Sequence, residues 1–287
     1  MWPDDDVATA LLEGQLAAVA AAAAERGALA GAIGDAAARL RSAGGRLCYA
    51  GAGTSGRLAV LDGVELTPTF NWPRERLAFF LAGGAEAMMA AIEGAEDDTV
   101  AARDAVVQAG LGADDVLIAV AASGHTPYTV AARDTAARAG ALTIVIAGDA
   151  DAPLARGADH ALIAETGAEL IAGSTRMKAG TAQKALLNAV STGIMIRLGR
   201  VHDGYMVEVQ ATNAKLRRRA RAMVATLAQC APDQADACLQ ACGGRVKPAV
   251  LMARFGLDAD RAAVALDAAG GHLRTAMTAM TVRDDDT

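Results

Sequence analysis

Aromatic residues make up only 3% of this 287-residue chain, and it has four cysteines and four histidines. Since hydrophobic residues account for 53% of the sequence, aliphatic side chains and alanine have to fill the core of a globular fold. The cysteines show no double pair with zinc-ligand spacing, and the histidines are scattered. We therefore expect free, buried thiols and no metal or other cofactor. The cysteines are Cys48, Cys230, Cys238 and Cys242.

Positive charge is also in deficit, with a formal net charge of -6, which argues against a nucleic-acid-binding protein. The basic stretch at residues 215–223 follows a helical pattern with apolar residues on one side, so it is interpreted as a solvated helix face. The N-terminal alanine-rich run lacks the positive segment of a secretory signal and is predicted to be a helix. No apolar run is judged to approach the roughly 18 residues of a membrane span. We expect a cytoplasmic protein with no membrane partner.

Five short β-type runs alternate with helix-length segments. Runs that are apolar on both faces and are separated by helices predict a parallel sheet covered by helices on both sides. The predicted fold class is therefore α/β. The runs are RLCYAG (46–51), LAFFLAG (77–83), VLIAVAAS (116–123), LTIVIAG (142–148) and HALIAE (160–165).

The later part of the chain has a helical pattern. Two long helices are predicted between Ser174 and about Cys230, joined near RVHDG, and three short helices beyond Pro232, each ending at glycine. We predict two domains. Residues 1–230 form the sheet domain with its N-terminal helix and carry the chemistry, and residues 231–287 form a small three-helix unit.

Glycines and hydroxyl residues follow the first and third predicted strands. GAGTSGR follows the first, and ASGHTP follows the third, ahead of a helix predicted to begin near Pro127. Such loops bind anions well, because glycine lets backbone N–H groups approach and the next helix begins with partial positive charge. The predicted phosphate ligands are Thr54, Ser55, Ser123, Gly124 and Thr126.

The first loop also fits the dinucleotide-binding pattern G-x-G-x-x-G, with glycines at Gly51, Gly53 and Gly56. That pattern requires an acidic residue at the end of the second strand to bind the ribose. Residues 82–84 are Ala-Gly-Gly instead. A small phosphorylated sugar is therefore favoured over a dinucleotide.

Four segments together closely resemble the N-acetylmuramic acid 6-phosphate etherase family, which has the sugar isomerase (SIS) fold. They are GAGTSGRLAVLDGVELTPTF, IEGAEDD, AASGHTPY, and GAELIAGSTRMKAGTAQKALLNAVSTGIMIRLGRV followed by VEVQATNAKL. The resemblance extends from residue 46 to about 225, and GSTRMKAGTAQK is its most specific part, although the glucokinase regulatory protein shares much of it. The resemblance implies an SIS-type parallel sheet sandwiched by helices.

The resemblance also implies a reaction. An etherase of this family removes the lactyl group from C3 of its phosphorylated amino-sugar substrate without a metal, giving N-acetylglucosamine 6-phosphate and D-lactate, a step of cell-wall sugar recycling. Glu65 and Glu96 match the family's catalytic glutamates, with Glu96 assigned as the base at C2 and Glu65 as the acid. Two carboxyl groups suit this chemistry, because one abstracts the proton next to the aldehyde while the other protonates the leaving oxygen.

Three neighbouring charges have simpler interpretations. Lys178 is assigned to the phosphate as its cation, although it also suits an ordinary charge at a helix start. Glu96 lies in an acidic cluster that could be the exposed end of a helix. Asp62 is expected to point to solvent, whereas Glu65, which follows an apolar run, is expected to need a partner or a task.

The chain departs from the family at three points. The family's N-terminal Ser-Thr-Leu-Glu stretch is not found before the alanine-rich helix. His125 stands where arginine is common, and Val64, Leu66 and Thr67 replace Ser, Cys and Pro around the first glutamate. Substrate preference is therefore open.

Two other functions fit part of the pattern. A non-catalytic sugar-phosphate sensor similar to the glucokinase regulatory protein needs the phosphate loops but no catalytic carboxylates. An aldose–ketose isomerase needs a base at C2 but no acid for a leaving group. The presence of both glutamates and a length that fits one SIS unit favour the etherase. The apolar stretches ALLNAV and TGIMI further predict a homodimer.

Overall fold

The computed structural model describes residues 2–42, 44–211 and 213–285, with side chains to residue 282. It divides into two compact units. The first comprises the chain up to Val64 and from Pro73 to Ile194; the second comprises Glu65–Trp72 and the chain from Met195 onward. The predicted domain boundary at residue 230 lies inside the second unit and stays a prediction.

The first unit is built on a parallel sheet with the strand order β2-β1-β3-β4-β5. The five predicted strands are confirmed, and β1, β3 and β4 are buried along their whole length, as expected of strands covered on both faces. The strands are β1 (Leu47–Gly51), β2 (Leu77–Leu81), β3 (Val116–Val120), β4 (Leu142–Ala147) and β5 (His160–Ile163).

Helices flank the sheet and form most of the second unit. They are α1 (Asp4–Ala24), α2 (Arg26–Leu40), α3 (Gly53–Val64), α4 (Leu66–Phe70), α5 (Thr99–Gln108), α6 (Pro127–Arg138), α7 (Lys178–Arg197), α8 (Ala214–Ala228), α9 (Pro232–Ala241), α10 (Val246–Phe255), α11 (Ala259–Ala268) and α12 (Leu273–Asp285). Pro127 begins α6 as predicted, at a position where a helix does not need its missing N–H.

A hairpin and a loop replace the start of the second long helix that the sequence predicts before residue 214. Strands β6 (Val201–His202) and β7 (Tyr205–Met206) pair antiparallel across Asp203 and Gly204. Both turn residues have positive φ, 45° and 78°, and Asp-Gly favours such a turn. Helix α8 begins only after Asn213, whose side chain accepts a hydrogen bond from the backbone N–H of Leu216 at 2.9 Å. The predicted second long helix is therefore wrong over residues 204–211 and confirmed from Ala214 to Ala228.

The second unit has its own hydrophobic core, which includes Met223, Val224, Leu239 and Val250. The three short helices predicted after Pro232 are present as α9, α10 and α11. Helix α12 is a fourth, which the sequence analysis did not predict.

Helix α1 is long and apolar enough to cross a membrane, judged by length and composition alone, with a mean hydropathy of 1.5. It is the one such helix in the part of the chain that the structure describes. The judgement that no apolar run approaches this length is therefore wrong, because a long run of alanines raises the mean hydropathy. Only Ala18 and Ala22 of this helix are buried, while Leu12, Leu16 and Val19 are exposed.

A buried polar network joins α3 to α7. The carboxylate of Asp62 accepts hydrogen bonds from Tyr49 Oη at 3.0 Å, Asn188 Nδ2 at 2.5 Å and Ser191 Oγ at 3.1 Å. Asp62 is only 3% exposed, so the expectation that it points to solvent is wrong. Burial raises the pKa of Asp62 above its ordinary value, and the three hydrogen bonds oppose that rise.

We expect Asp62→Ala to lower the free energy of unfolding by about 2–4 kcal/mol, because three buried donors lose their acceptor. Asp62→Asn keeps the shape and one acceptor oxygen, so its cost is smaller. Urea unfolding of the two variants and the wild type measures the difference. Equal stability of all three would show that the network contributes nothing.

The raised pKa of Asp62 makes the difference in stability between the wild type and Asp62→Asn depend on pH. Because the folded pKa of Asp62 lies above the ordinary value of 3.8, the unfolded chain releases this proton at lower pH. The contribution of the group to stability is therefore greatest below 3.8 and is lost as the pH rises through the folded pKa. We expect the wild type to lose stability relative to Asp62→Asn as the pH rises from about 4 through the raised folded pKa, which urea unfolding at a series of pH values measures.

Candidate active site

The loops after β1, β2 and β3 begin side by side at one edge of the sheet. Gly51, at the end of β1, is in register with Leu81 of β2 and Val120 of β3. In open parallel sheets, ligands bind beyond the carboxyl ends of the strands, at the point where the strand order reverses. That point lies between β1 and β3, and the two predicted phosphate loops follow these strands.

The first loop turns into α3 at very close range. A Cβ atom on Gly51 would lie 2.8 Å from the Cα atom of Gly56, and one on Gly56 would lie 2.7 Å from the carbonyl oxygen of Gly51. Only glycine permits this approach of helix to strand. The spacing that fits a dinucleotide pattern is thus explained by packing, and it brings the N-terminus of α3 to the edge of the sheet.

A cavity of about 290 Å³ opens beside this loop, and we call it the first-loop cavity. Its lining comes from the start of α3 and from the chain that follows β2, and includes Thr54, Arg57, Glu93 and Glu96. Two predicted site residues, Thr54 and Glu96, are therefore brought together. Glu96 is exposed and lies in a short 3-10 turn, Ala95–Asp97.

Arg57 anchors the chain that leads to Glu96. Its Nε donates to the carbonyl oxygen of Ala87 at 2.7 Å, and its Nη2 donates to that of Ala90 at 2.8 Å. Beyond Glu96, the side chain of Asp98 caps α5 by accepting hydrogen bonds from two backbone N–H groups. Glu96 thus lies on a short segment that is fixed at both ends.

Ser55 is buried and bonds to α7. Its hydroxyl donates to Oε1 of Gln183 at 3.0 Å, while Nε2 of Gln183 is buried without a partner among the described residues. The contact joins the first phosphate loop to the GTAQK part of the most specific motif. In this arrangement the hydroxyl proton of Ser55 is directed to Gln183.

The second loop is shaped by Gly124, which has a φ of 68° and would place a Cβ atom 2.5 Å from that of Ala152. The N–H of Gly124 donates to the carbonyl oxygen of Ala121 at 3.1 Å, and the N–H of His125 donates to Oγ of Ser123 at 3.2 Å. These two backbone N–H groups therefore bond within the loop and are not free to face an anion in this conformation. Ser123 is exposed, and its hydroxyl proton is free to be donated.

Lys178 begins α7, and its ammonium group donates to the carbonyl oxygen of Thr166 at 2.5 Å. The carboxylate of Glu169 accepts hydrogen bonds from the backbone N–H groups of Lys178 at 3.0 Å and Ala179 at 3.1 Å. Glu169 thus caps the positive end of α7. The structure places Lys178 against Thr166, and its role at a phosphate stays a prediction.

Glu65 belongs to the second unit, where it immediately precedes α4. Its side chain is exposed, and among the described residues its carboxylate has no hydrogen bond or ion pair. An exposed carboxylate is solvated by water, so the expectation that Glu65 needs a partner or a task is wrong. Its assignment as the acid stays a prediction.

The structure adds residues that the sequence analysis did not assign. Arg57, Gln183 and Glu169 all lie inside the quoted motifs, but the motifs do not show which neighbours they contact. Within the described part of the chain, no three histidine, cysteine or acidic residues lie together as a metal site would require.

All four cysteines are free, as predicted. The prediction that they are buried is confirmed for Cys48 and Cys242 and wrong for Cys230 and Cys238, which are half-buried. Burial raises the pKa of Cys48 to about 12, so this thiol is protonated at neutral pH.

Two family models match the chain between residues 29 and 192. Residues 29–137 match the N-terminal SIS domain of the glucokinase regulatory protein, and residues 98–192 match the SIS domain. Among solved structures, the chain is similar to Vibrio vulnificus NanR complexed with ManNAc-6P, with a TM-score of 0.47 and 17% identity over 68% of this chain and 64% of that one.

Curated relatives named N-acetylmuramic acid 6-phosphate etherase match nearly the whole chain. The relative from Deinococcus radiodurans is 50% identical over 94% of this chain and 88% of its own length. The relative from Streptomyces coelicolor is 47% identical over 96% of this chain and 89% of its own length. The relative from Salmonella typhimurium is 44% identical over 85% of this chain and 82% of its own length. The chain therefore belongs to the N-acetylmuramic acid 6-phosphate etherase family.

Proposed function

We propose that this chain is a carbon–oxygen lyase that cleaves the D-lactyl ether of N-acetylmuramic acid 6-phosphate. The products are N-acetylglucosamine 6-phosphate and D-lactate. The observation that carries the proposal is the placement of Glu96, on a segment fixed at both ends, in a cavity lined by the first phosphate loop. Family membership supports the same reaction.

The reaction proceeds in two stages. In the open-chain sugar, the carboxylate of Glu96 takes the proton from C2, next to the C1 aldehyde, and the electron pair forms a double bond between C2 and C3. The bond between C3 and the ether oxygen breaks, and Glu65 gives its proton to that oxygen, so lactate leaves with its hydroxyl group complete. Water then adds across the double bond, with its hydroxyl at C3 and a proton at C2.

The phosphate is bound by the loops after β1 and β3. Thr54 and Ser123 are accessible donors, and Ser55 and Thr126 lie at the starts of α3 and α6, where the helix dipole favours an anion. For Ser55 to donate to the phosphate, its hydroxyl has to leave Gln183. Gly124 gives the second loop its shape. We keep Lys178 as a further ligand, although doing so requires its ammonium group to leave the carbonyl oxygen of Thr166.

The two other functions are not favoured. A sugar-phosphate sensor has no use for the two glutamates, and an aldose–ketose isomerase has no leaving group for Glu65 to protonate. The curated relatives reported above are all named as etherases.

We also propose a cytoplasmic homodimer that binds neither nucleic acid nor membrane. The residues that first suggested a dimer include Leu186, Leu187 and Val190, which are buried inside the chain, so they no longer support it. The exposed Leu12 and Leu16 of α1 support it instead. Light scattering at micromolar concentration tests the dimer, and a monomer mass contradicts it.

Replacing either glutamate with glutamine removes one proton-transfer group. We expect Glu65→Gln and Glu96→Gln each to lower D-lactate release by about 10²–10⁴-fold, while N-acetylglucosamine 6-phosphate still binds. Asp97→Asn, in the same turn as Glu96, is the matched control and keeps wild-type activity.

The same variants separate the two roles. With Glu96 intact, Glu65→Gln continues to exchange the C2 proton with deuterated solvent, which mass spectrometry of the recovered substrate measures. Exchange that survives only in Glu96→Gln would reverse the assigned roles. Full lactate release by either variant removes that residue from the mechanism.

Ser123 tests the second loop. Ser123→Ala removes one donor and leaves the turn intact, so we expect a loss of about 1.5–3 kcal/mol in binding of N-acetylglucosamine 6-phosphate. Ser123→Asp adds a negative charge facing the phosphate and weakens binding much more. If calorimetry gives both variants the wild-type affinity, the phosphate lies elsewhere.

A further inference from the structure

The segment Glu65–Trp72 carries the proposed acid and folds with the second unit. It contains α4, whose Leu66 and Phe70 side chains are buried. The Glu65 carboxylate at its start is exposed. The backbone of this segment therefore decides where the carboxylate lies.

Hydrogen bonds close the segment on itself. The N–H of Trp72 donates to the carbonyl oxygen of Leu66 at 3.2 Å, and Oγ1 of Thr67 donates to that of Trp72 at 2.9 Å. Asn71 has a left-handed φ of 52°, and its N–H donates to the carbonyl oxygen of Thr67 at 2.9 Å. Because residues 71 and 72 bond directly to residues 66 and 67, a displacement at the end of the segment reaches the residue next to Glu65.

Arg200 anchors that end. Its Nη1 donates to the carbonyl oxygens of Phe70 at 2.6 Å and Asn71 at 2.8 Å. Its guanidinium carbon lies 5.0 Å from the centre of the Trp72 ring, which is almost fully buried. One side chain thus contacts three consecutive residues, and it does so by two kinds of interaction.

Arginine is suited to this position for two reasons. Its planar guanidinium donates in fixed directions and stacks on an aromatic face at the same time, whereas a lysine ammonium is a compact point charge. The two carbonyl oxygens accept hydrogen bonds from Nη1 of Arg200, which is partly buried. A buried guanidinium N–H group without an acceptor would be unfavourable.

We propose that Arg200 is a positioning residue for the etherase reaction, which fixes the segment Glu65–Trp72 so that Glu65 protonates the departing ether oxygen. This inference rests on the proposed role of Glu65 as the acid. It assigns to Arg200 no contact with substrate.

A positioning role differs from a purely structural one in its kinetic signature. Loss of Glu65 alignment slows the departure of lactate but not the removal of the C2 proton, which is assigned to Glu96. General loss of structure slows both steps by the same factor. The ratio of C2 proton exchange to lactate release therefore reports the role of Arg200.

The test uses the full chain with Arg200→Met and Arg200→Lys. We expect lactate release to fall roughly 10–100-fold, as misplacement by about 1 Å can cause, while exchange of the C2 proton in deuterated water is retained. Arg254→Met is the matched control, because Arg254 also donates to a carbonyl oxygen, that of Leu227 at 3.3 Å, and lies over the Phe255 ring at 5.9 Å. This control leaves the ratio unchanged.

Thr67→Val is a milder variant in case the Arg200 variants fold poorly. It removes only the hydrogen bond to Trp72, and we expect the ratio to rise in the same direction by a smaller factor. Thermal unfolding of each variant confirms that folded protein is assayed.

Glu65→Gln, assayed in parallel, separates the inference from the proposed function. If Glu65→Gln raises the ratio but the Arg200 variants lower both steps equally, or lower neither, then Arg200 is not a positioning residue. If Glu65→Gln releases lactate at the wild-type rate, the acid assignment fails and the inference about Arg200 fails with it.

Discussion

The candidate active site depends on the close contact between the first turn of α3 and the end of β1. Glycine at 51 and 56 lets the two backbones touch, and this fixes the start of α3 at the edge of the sheet. Thr54 and Ser55 then lie on the first phosphate loop, and Arg57 reaches the chain after β2. The position of Glu96 follows from that anchor, and the network around Asp62 joins the far part of α3 to α7.

The two proposed catalytic glutamates are supported in the same physical way. Each lies on a short segment outside the long helices and strands, and in each unit an arginine donates to two backbone carbonyl oxygens of that segment. Arg57 does so before Glu96, and Arg200 does so after Glu65. A permanently charged donor holds such carbonyls well. Both carboxylates are exposed while their backbone is fixed, an arrangement that suits the proton transfers proposed for them.

The sheet was predictable from the sequence because strands buried on both faces are continuous apolar runs. A junction near RVHDG was predicted, but the β6–β7 hairpin around its Asp-Gly turn was missed, because the helical pattern of the residues that follow was extended back to Gly204. The environments of Asp62 and Glu65 could not be predicted. Two of the partners that bury Asp62 lie 126 and 129 residues away in the sequence, and spacing within one helix does not reveal which carboxylate meets them.

Cleavage of the bond between C3 of the sugar and the ether oxygen is the central claim of the mechanism. The most direct test is to run the reaction of the wild-type protein in water labelled with a heavy oxygen isotope and to analyse both products by mass spectrometry. Elimination followed by addition of water predicts the label in the C3 hydroxyl group of N-acetylglucosamine 6-phosphate and none in D-lactate. Label in the lactate hydroxyl group, with none at C3 of the sugar, would show that the ether breaks on the lactyl side and would contradict the mechanism.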